Sequence, residues 1–72
     1  MYWNERIRGL REDTDLNQTE MGKILQATQR QISNWEVGRN EPPFEILIKY
    51  AMYFNTTTDY ILGLTDEPRK LY

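Results

Sequence analysis

An all-α fold, a compact bundle of five short helices, is predicted by three features of the 72-residue chain. Apolar residues recur at three- and four-residue spacing through most of it, as on the inner edge of an amphipathic helix. Start signals of the capping-box type occur in close succession at Asn17 and Thr28. Gly38, Pro42-Pro43 and Gly63 then punctuate the second half.

Each element has its own signal. Trp3, Ile7 and Leu10 give an apolar edge to a first helix, from about Asn4 to Asp13. Gly9 inside it costs roughly 1 kcal/mol against alanine. The stretch DTDLN is a turn. Asn17, with Glu20 three residues on, opens a second helix whose inner edge is Met21, Ile24 and Leu25. Gly22 on that helix lets another backbone come close. Only Gln26 and Ala27 precede the next start, where Thr28-Gln29-Arg30-Gln31 fits T-x-x-Q and begins a third helix, Gln29 to about Glu36. Two short helices joined so tightly cross steeply instead of running antiparallel, which is a helix-turn-helix. Gly38 and the two prolines end the third helix. Phe44, Leu47, Ile48, Ala51 and Phe54 define a fourth, the most hydrophobic, and a last short helix from about Thr58 to Leu62 is closed by Gly63. Ile32, Trp35, Leu47, Ala51 and Phe54 are core, and one helix face accommodates Leu47, Ala51 and Phe54, leaving Tyr50, Met52 and Tyr53 to other edges. Residues 1–65 form the domain and 66–72 a short polar tail.

Composition bounds the chemistry. The chain has neither cysteine nor histidine, which removes thiolate and ordinary zinc sites, Ser-His and Cys-His nucleophiles and a His proton shuttle. So short a chain has little room for a pocket of enzymatic size; no enzyme, cofactor or metal is expected. No apolar run approaches the ~20 residues of a membrane span, and MYWNERIRGL is unlike a signal peptide, so the expected location is the cytoplasm. The net charge of −2 argues against a nucleic-acid binder, since phosphate neutralisation supplies most non-specific affinity. The acids are unevenly spread, however. Glu12, Asp13 and Asp15 cluster in one turn, while between Asn17 and Asn40 there are three bases (Lys23, Arg30, Arg39) and two acids (Glu20, Glu36).

The third helix has an unusual outer face. On a helical wheel Ile32 and Trp35 mark the core side. Arg30, Ser33 and Asn34 face outward, Gln29 sits on one shoulder, and Gln31 lies nearer the core. A solvated helix usually carries Glu and Lys pairs instead. Amides suit adenine edges and a guanidinium suits guanine edges in the major groove, and an α-helix fits that groove.

LNQTEMGKILQATQRQISNWEVGRNEPPFEILIKYAMYFNTTTDYILGL, with ERIRGLRE before it, resembles the Cro/repressor-type (Xre-like) helix-turn-helix family over about residues 3–64. The resemblance implies a lambda-repressor-like DNA-binding domain whose third helix enters the major groove of a palindromic operator. Gln29, Arg30 and Asn34 are then the expected base readers, with Ser33 a base or phosphate contact. Asn17, Gln18, Thr28, Gln31, Arg39 and Asn40 fall at or beside backbone-contacting positions, although capping also explains Asn17, Thr28 and Gln31. Arg11 and Glu36 occupy positions that form a partly buried ion pair in relatives. Two departures stand out: Gln26 where the family usually has Gly in the turn, and Gly22 where it usually has Ala.

The implied function is a sequence-specific double-stranded DNA-binding transcriptional regulator, a dimeric repressor without cofactor. Tyr53, Tyr60 and Leu64, with Leu71 and Tyr72, are candidate dimer contacts; packing within the monomer is the alternative for them. Two other readings remain: an antitoxin that binds a toxin protein, with DNA binding autoregulatory, and a protein-interaction module that has lost DNA affinity.

Overall fold

Asn17 and Thr28 each close a reciprocal capping box. Asn17 Oδ1 accepts from the Glu20 amide at 2.7 Å while Glu20 Oε1 accepts from the Asn17 amide at 2.9 Å. Thr28 Oγ1 and Gln31 Oε1 do the same at 3.1 and 2.9 Å. These boxes set the starts of the two central helices. The computed structural model describes residues 2–68, among which there are five helices and no strand: α1 (Trp3–Asp13), α2 (Gln18–Leu25), α3 (Gln29–Glu36), α4 (Phe44–Tyr53) and α5 (Thr58–Ile61). Against expectation, α1 begins one residue earlier and α5 ends one earlier, at positions where helix ends fray.

Between α2 and α3 the chain must reverse within three residues. Gln26 does this in the left-handed region, at φ 59° and ψ 44°, where a side chain with a Cβ is strained by about 1–2 kcal/mol. The reversal brings the Ala27 carbonyl against α2. A Cβ on Gly22 would lie 2.6 Å from that oxygen, so the missing side chain is what permits the close crossing. Lys49 Nζ reaches over from α4 to donate to the Leu25 carbonyl at 3.3 Å, favourably placed at the negative end of α2.

All five helices contribute to one core of Ile7, Met21, Leu25, Ile32, Trp35, Tyr50, Ala51 and Ile61, with Trp3, Leu10, Leu16, Leu47 and Phe54 packed against it. The rotation of α4 differs in part from its expected one. Tyr50 is fully buried, whereas Phe44 is 84% and Ile48 50% exposed. Leu47, Ala51 and Phe54 do pack into or against the core as expected, but with apolar residues on nearly every side of α4, spacing alone does not place Tyr50 inside and Phe44 and Ile48 outside.

The segment after α5, expected as the start of a polar tail, is fastened to the body over its described part. Arg6, 6% exposed, donates to Asp66 Oδ1 at 2.7 Å and to the Thr65 carbonyl at 3.3 Å. Its guanidinium also lies 4.1 Å from the centre of the Tyr60 ring. Thr56 Oγ1 donates to the Pro68 carbonyl.

Candidate nucleic-acid interface

The outer face of α3 is polar from end to end. Gln29, Arg30 and Gln31 are exposed, Ser33 and Asn34 half-buried, and Glu36 buried. The wheel placed Gln31 nearer the core. It is exposed, and its side-chain oxygen accepts from the Thr28 amide in the cap. Arg30, exposed one residue into α3, makes no ion pair or hydrogen bond with any of the described residues.

A chain of hydrogen bonds runs from α1 to the first residue of α3, and its polarity follows from chemistry. Arg11 Nε and Nη2 donate to Glu36 Oε2 and Oε1 at 2.6 and 2.9 Å. Arg11 Nη1 donates to the Leu16 carbonyl at 2.8 Å, and the bond to Glu36 is the main cause raising the Arg11 pKa. Gln18 Nε2 also donates to Glu36 Oε1, at 3.1 Å. A carboxylate only accepts, so the Gln18 amide must turn its nitrogen inward and its oxygen outward. That oxygen accepts from Gln29 Nε2 at 2.5 Å. Gln29 is left with its own Oε1 and one N–H unengaged, a neighbouring acceptor and donor at the N-terminal end of α3. Gln18, expected at the DNA backbone, is therefore first an internal link between Glu36 and Gln29, and this link is invisible in sequence because its members lie on different helices.

At the other end of α3, Arg39 Nη1 donates to Asn34 Oδ1 at 3.1 Å. Asn40 and Arg39 are exposed in the loop that follows. Asn17 and Thr28 spend their side-chain oxygens on the caps, leaving the Asn17 –NH2 group outward.

The candidate dimer residues divide. Tyr53 is 50% and Leu64 74% exposed, while Tyr60 is half-buried beneath Arg6. Leu71 and Tyr72 lie outside the described residues. Met52, left to another edge of α4 by the sequence, is 71% exposed, and Phe44, counted among the apolar residues that define α4, is 84% exposed. Among the described residues no group of His, Cys, Asp and Glu could hold a metal ion, and no helix is long and apolar enough to cross a membrane.

This geometry has counterparts. The family model described as "Helix-turn-helix domain" matches residues 4–67. The HTH-type transcriptional regulator YobD of Bacillus subtilis (strain 168) is 30% identical over 64 residues, 89% of this chain and 57% of that protein. The HTH-type transcriptional activator BcrR of Enterococcus faecalis is 32% identical over 63 residues, 88% of this chain and 31% of BcrR. The chain thus spans from a third to somewhat over half of these relatives' lengths. Among solved structures, the P22 c2 repressor protein in complex with synthetic operator 9T superposes with a TM-score of 0.80 at 31% identity, covering 86% of this chain and 94% of that one. The solution structure of the P22 c2 repressor DNA-binding domain gives 0.77 at 30% identity, covering 85% and 80%.

Proposed function

Because the chain belongs to the helix-turn-helix domain family, in its Cro/repressor (Xre-like) branch, we propose that it regulates transcription by reading double-stranded DNA with α3 in the major groove. The observation that carries this is the state of Gln29 and Arg30. Gln29 presents an acceptor beside a donor, the pattern complementary to adenine N6 and N7, and the unpaired Arg30 beside it suits guanine O6 and N7. Asn34 completes the row, with Ser33 beside it. Arg39, Asn40 and the outward –NH2 of Asn17 are disposed around it for phosphates. The local charge supports the reading in spite of the −2 total: between Asn17 and Asn40 the bases Lys23, Arg30 and Arg39 outnumber the acids Glu20 and Glu36.

The protein acts as a homodimer on a palindromic operator and represses by occupying it. Two copies of α3 then enter successive major grooves about 34 Å apart. Tyr53 and Leu64, exposed and apolar, are the surface we assign to the dimer. The test is selection from a random duplex library at about 100 mM salt, with Arg30→Ala alongside wild type. An enriched palindrome that relaxes at one symmetric position in the variant supports the proposal. No enrichment, with weak retention at about 50 mM salt too, refutes it.

The net charge and the exposed Phe44 and Met52 favour a second reading, a module that binds a protein partner such as a toxin. The two differ in salt dependence: a dimer touching 6–10 phosphates loses about 10³–10⁵ in DNA affinity between 50 and 200 mM salt.

A further inference from the structure

Asn34 closes the outward row of α3, and its side-chain oxygen is already occupied. Arg39 Nη1 donates to Asn34 Oδ1 at 3.1 Å. A guanidinium carries only donors, so the amide must turn its oxygen toward Arg39 and its –NH2 away. The loop backbone holds Arg39 in place for this. The amides of Arg39 and Asn40 donate to the Asn34 carbonyl at 2.9 and 3.4 Å, in the turn that Gly38 makes at φ 79°. Asn34 Nδ2 donates to none of the described residues. Four of the five Arg39 N–H groups remain available to a phosphate.

An asparagine with both ends free matches adenine, donating to N7 and accepting from N6. An asparagine reduced to its –NH2 group matches guanine, whose N7 and O6 are both acceptors. We propose that Arg39 is a positioning residue for base recognition: by occupying Asn34 Oδ1 it presents Asn34 to the major groove as a donor, and thereby selects guanine over adenine at the base pair facing Asn34. This rests on the reading of α3 as the recognition helix. It differs from a phosphate contact alone, because a phosphate contact weakens binding uniformly across sequences and lowers the salt slope by about 1.

The experiment is selection from a random duplex library with wild type, Arg30→Ala, Asn34→Ala, Arg39→Ala and the Asn34→Ala/Arg39→Ala double variant. Thermal melting verifies that each is folded; Arg39 is exposed and Asn34 half-buried. In wild type, the position that Asn34→Ala flattens is expected to be guanine, favoured over adenine by about tenfold. Arg39→Ala frees the Asn34 oxygen, so adenine gains at that same position, on top of a uniform loss of affinity. In the Asn34→Ala background the Arg39 substitution leaves only the uniform loss. The proposal is overturned if wild type selects adenine there, if Arg39→Ala lowers binding equally on all sequences, or if Asn34→Ala flattens no position while Arg30→Ala still flattens its own. If wild type enriches nothing, the DNA-reading function itself falls, and this inference with it.

Discussion

Arg11 on α1 grips both carboxylate oxygens of Glu36 at the end of α3, through parallel hydrogen bonds of 2.6 and 2.9 Å across 25 positions of sequence. The Glu36 side chain is 2% exposed and that of Arg11 11%. Removing one partner strands the other charge out of water, which costs about 3–5 kcal/mol for a fully buried pair. Glu36→Gln is therefore expected to destabilise the domain by about 3 kcal/mol, the low end because Arg11 keeps some solvent. Urea titration measures it. A loss below about 1 kcal/mol means that solvent reaches the pair and it holds nothing together.

Tyr50 is fully buried, and its hydroxyl has no partner among the described residues. Tyr50→Phe removes a desolvated, unsatisfied group and is expected to leave stability unchanged or raise it by up to about 1 kcal/mol. A loss larger than that shows that the hydroxyl is satisfied.

The same residue predicts a pH effect. Burial first, and the Glu36 carboxylate next, raise the Tyr50 pKa above the usual 10. In the unfolded chain this phenol ionises near pH 10, while in the native core it keeps its proton. The native state therefore binds more protons above pH 10, and stability falls as pH rises beyond it, by up to about 1.4 kcal/mol per pH unit. Below pH 10 the contribution is fully present. By chemical denaturation, the stability difference between Tyr50→Phe and wild type should widen from pH 8 to pH 11, by about 1.4 kcal/mol. Parallel curves would show that Tyr50 ionises as freely in the fold as out of it.

Two glycines on helices should respond in opposite ways to alanine. A Cβ at Gly9 meets nothing within 4 Å, so Gly9→Ala should stabilise by about 0.5–1 kcal/mol through helix propensity. At Gly22 the new Cβ meets the Ala27 carbonyl at 2.6 Å, and the turn must open; Gly22→Ala should cost about 1–3 kcal/mol. Melting temperatures of the pair decide it, and equal shifts would contradict the close crossing of α2 by the turn.

Gln26 supplies the complementary case. At φ 59° its Cβ is strained, and Gln26→Gly exchanges that strain for a more flexible unfolded chain. A net gain of roughly 0.5–1 kcal/mol is expected. A loss would indicate that its side chain, whose oxygen accepts from Lys49 at 3.4 Å, matters more than the backbone.

Local chemistry was legible in the sequence because it acts over a few residues. Asn17 and Glu20, like Thr28 and Gln31, satisfy each other's backbone groups within a single turn, so the starts of α2 and α3 were readable directly. So were the short link between them, the small residue Gly22 and the polar outer face of α3. What the tertiary structure decided depends on residues distant in sequence. The face that α4 buries was set by its packing into the shared core, which takes Tyr50 and leaves Phe44 and Ile48 outside. The anchoring of Thr65 and Asp66 was set by Arg6 at the far end of the chain, and that of Pro68 by Thr56. The orientation of the amides on and beside α3 was set by groups they do not adjoin in sequence: Glu36 turns Gln18, Gln18 turns Gln29, and Arg39 turns Asn34. A helical wheel gives the direction in which a side chain leaves its helix. Which end of an amide then meets solvent depends on the donor or acceptor that folding brings beside it.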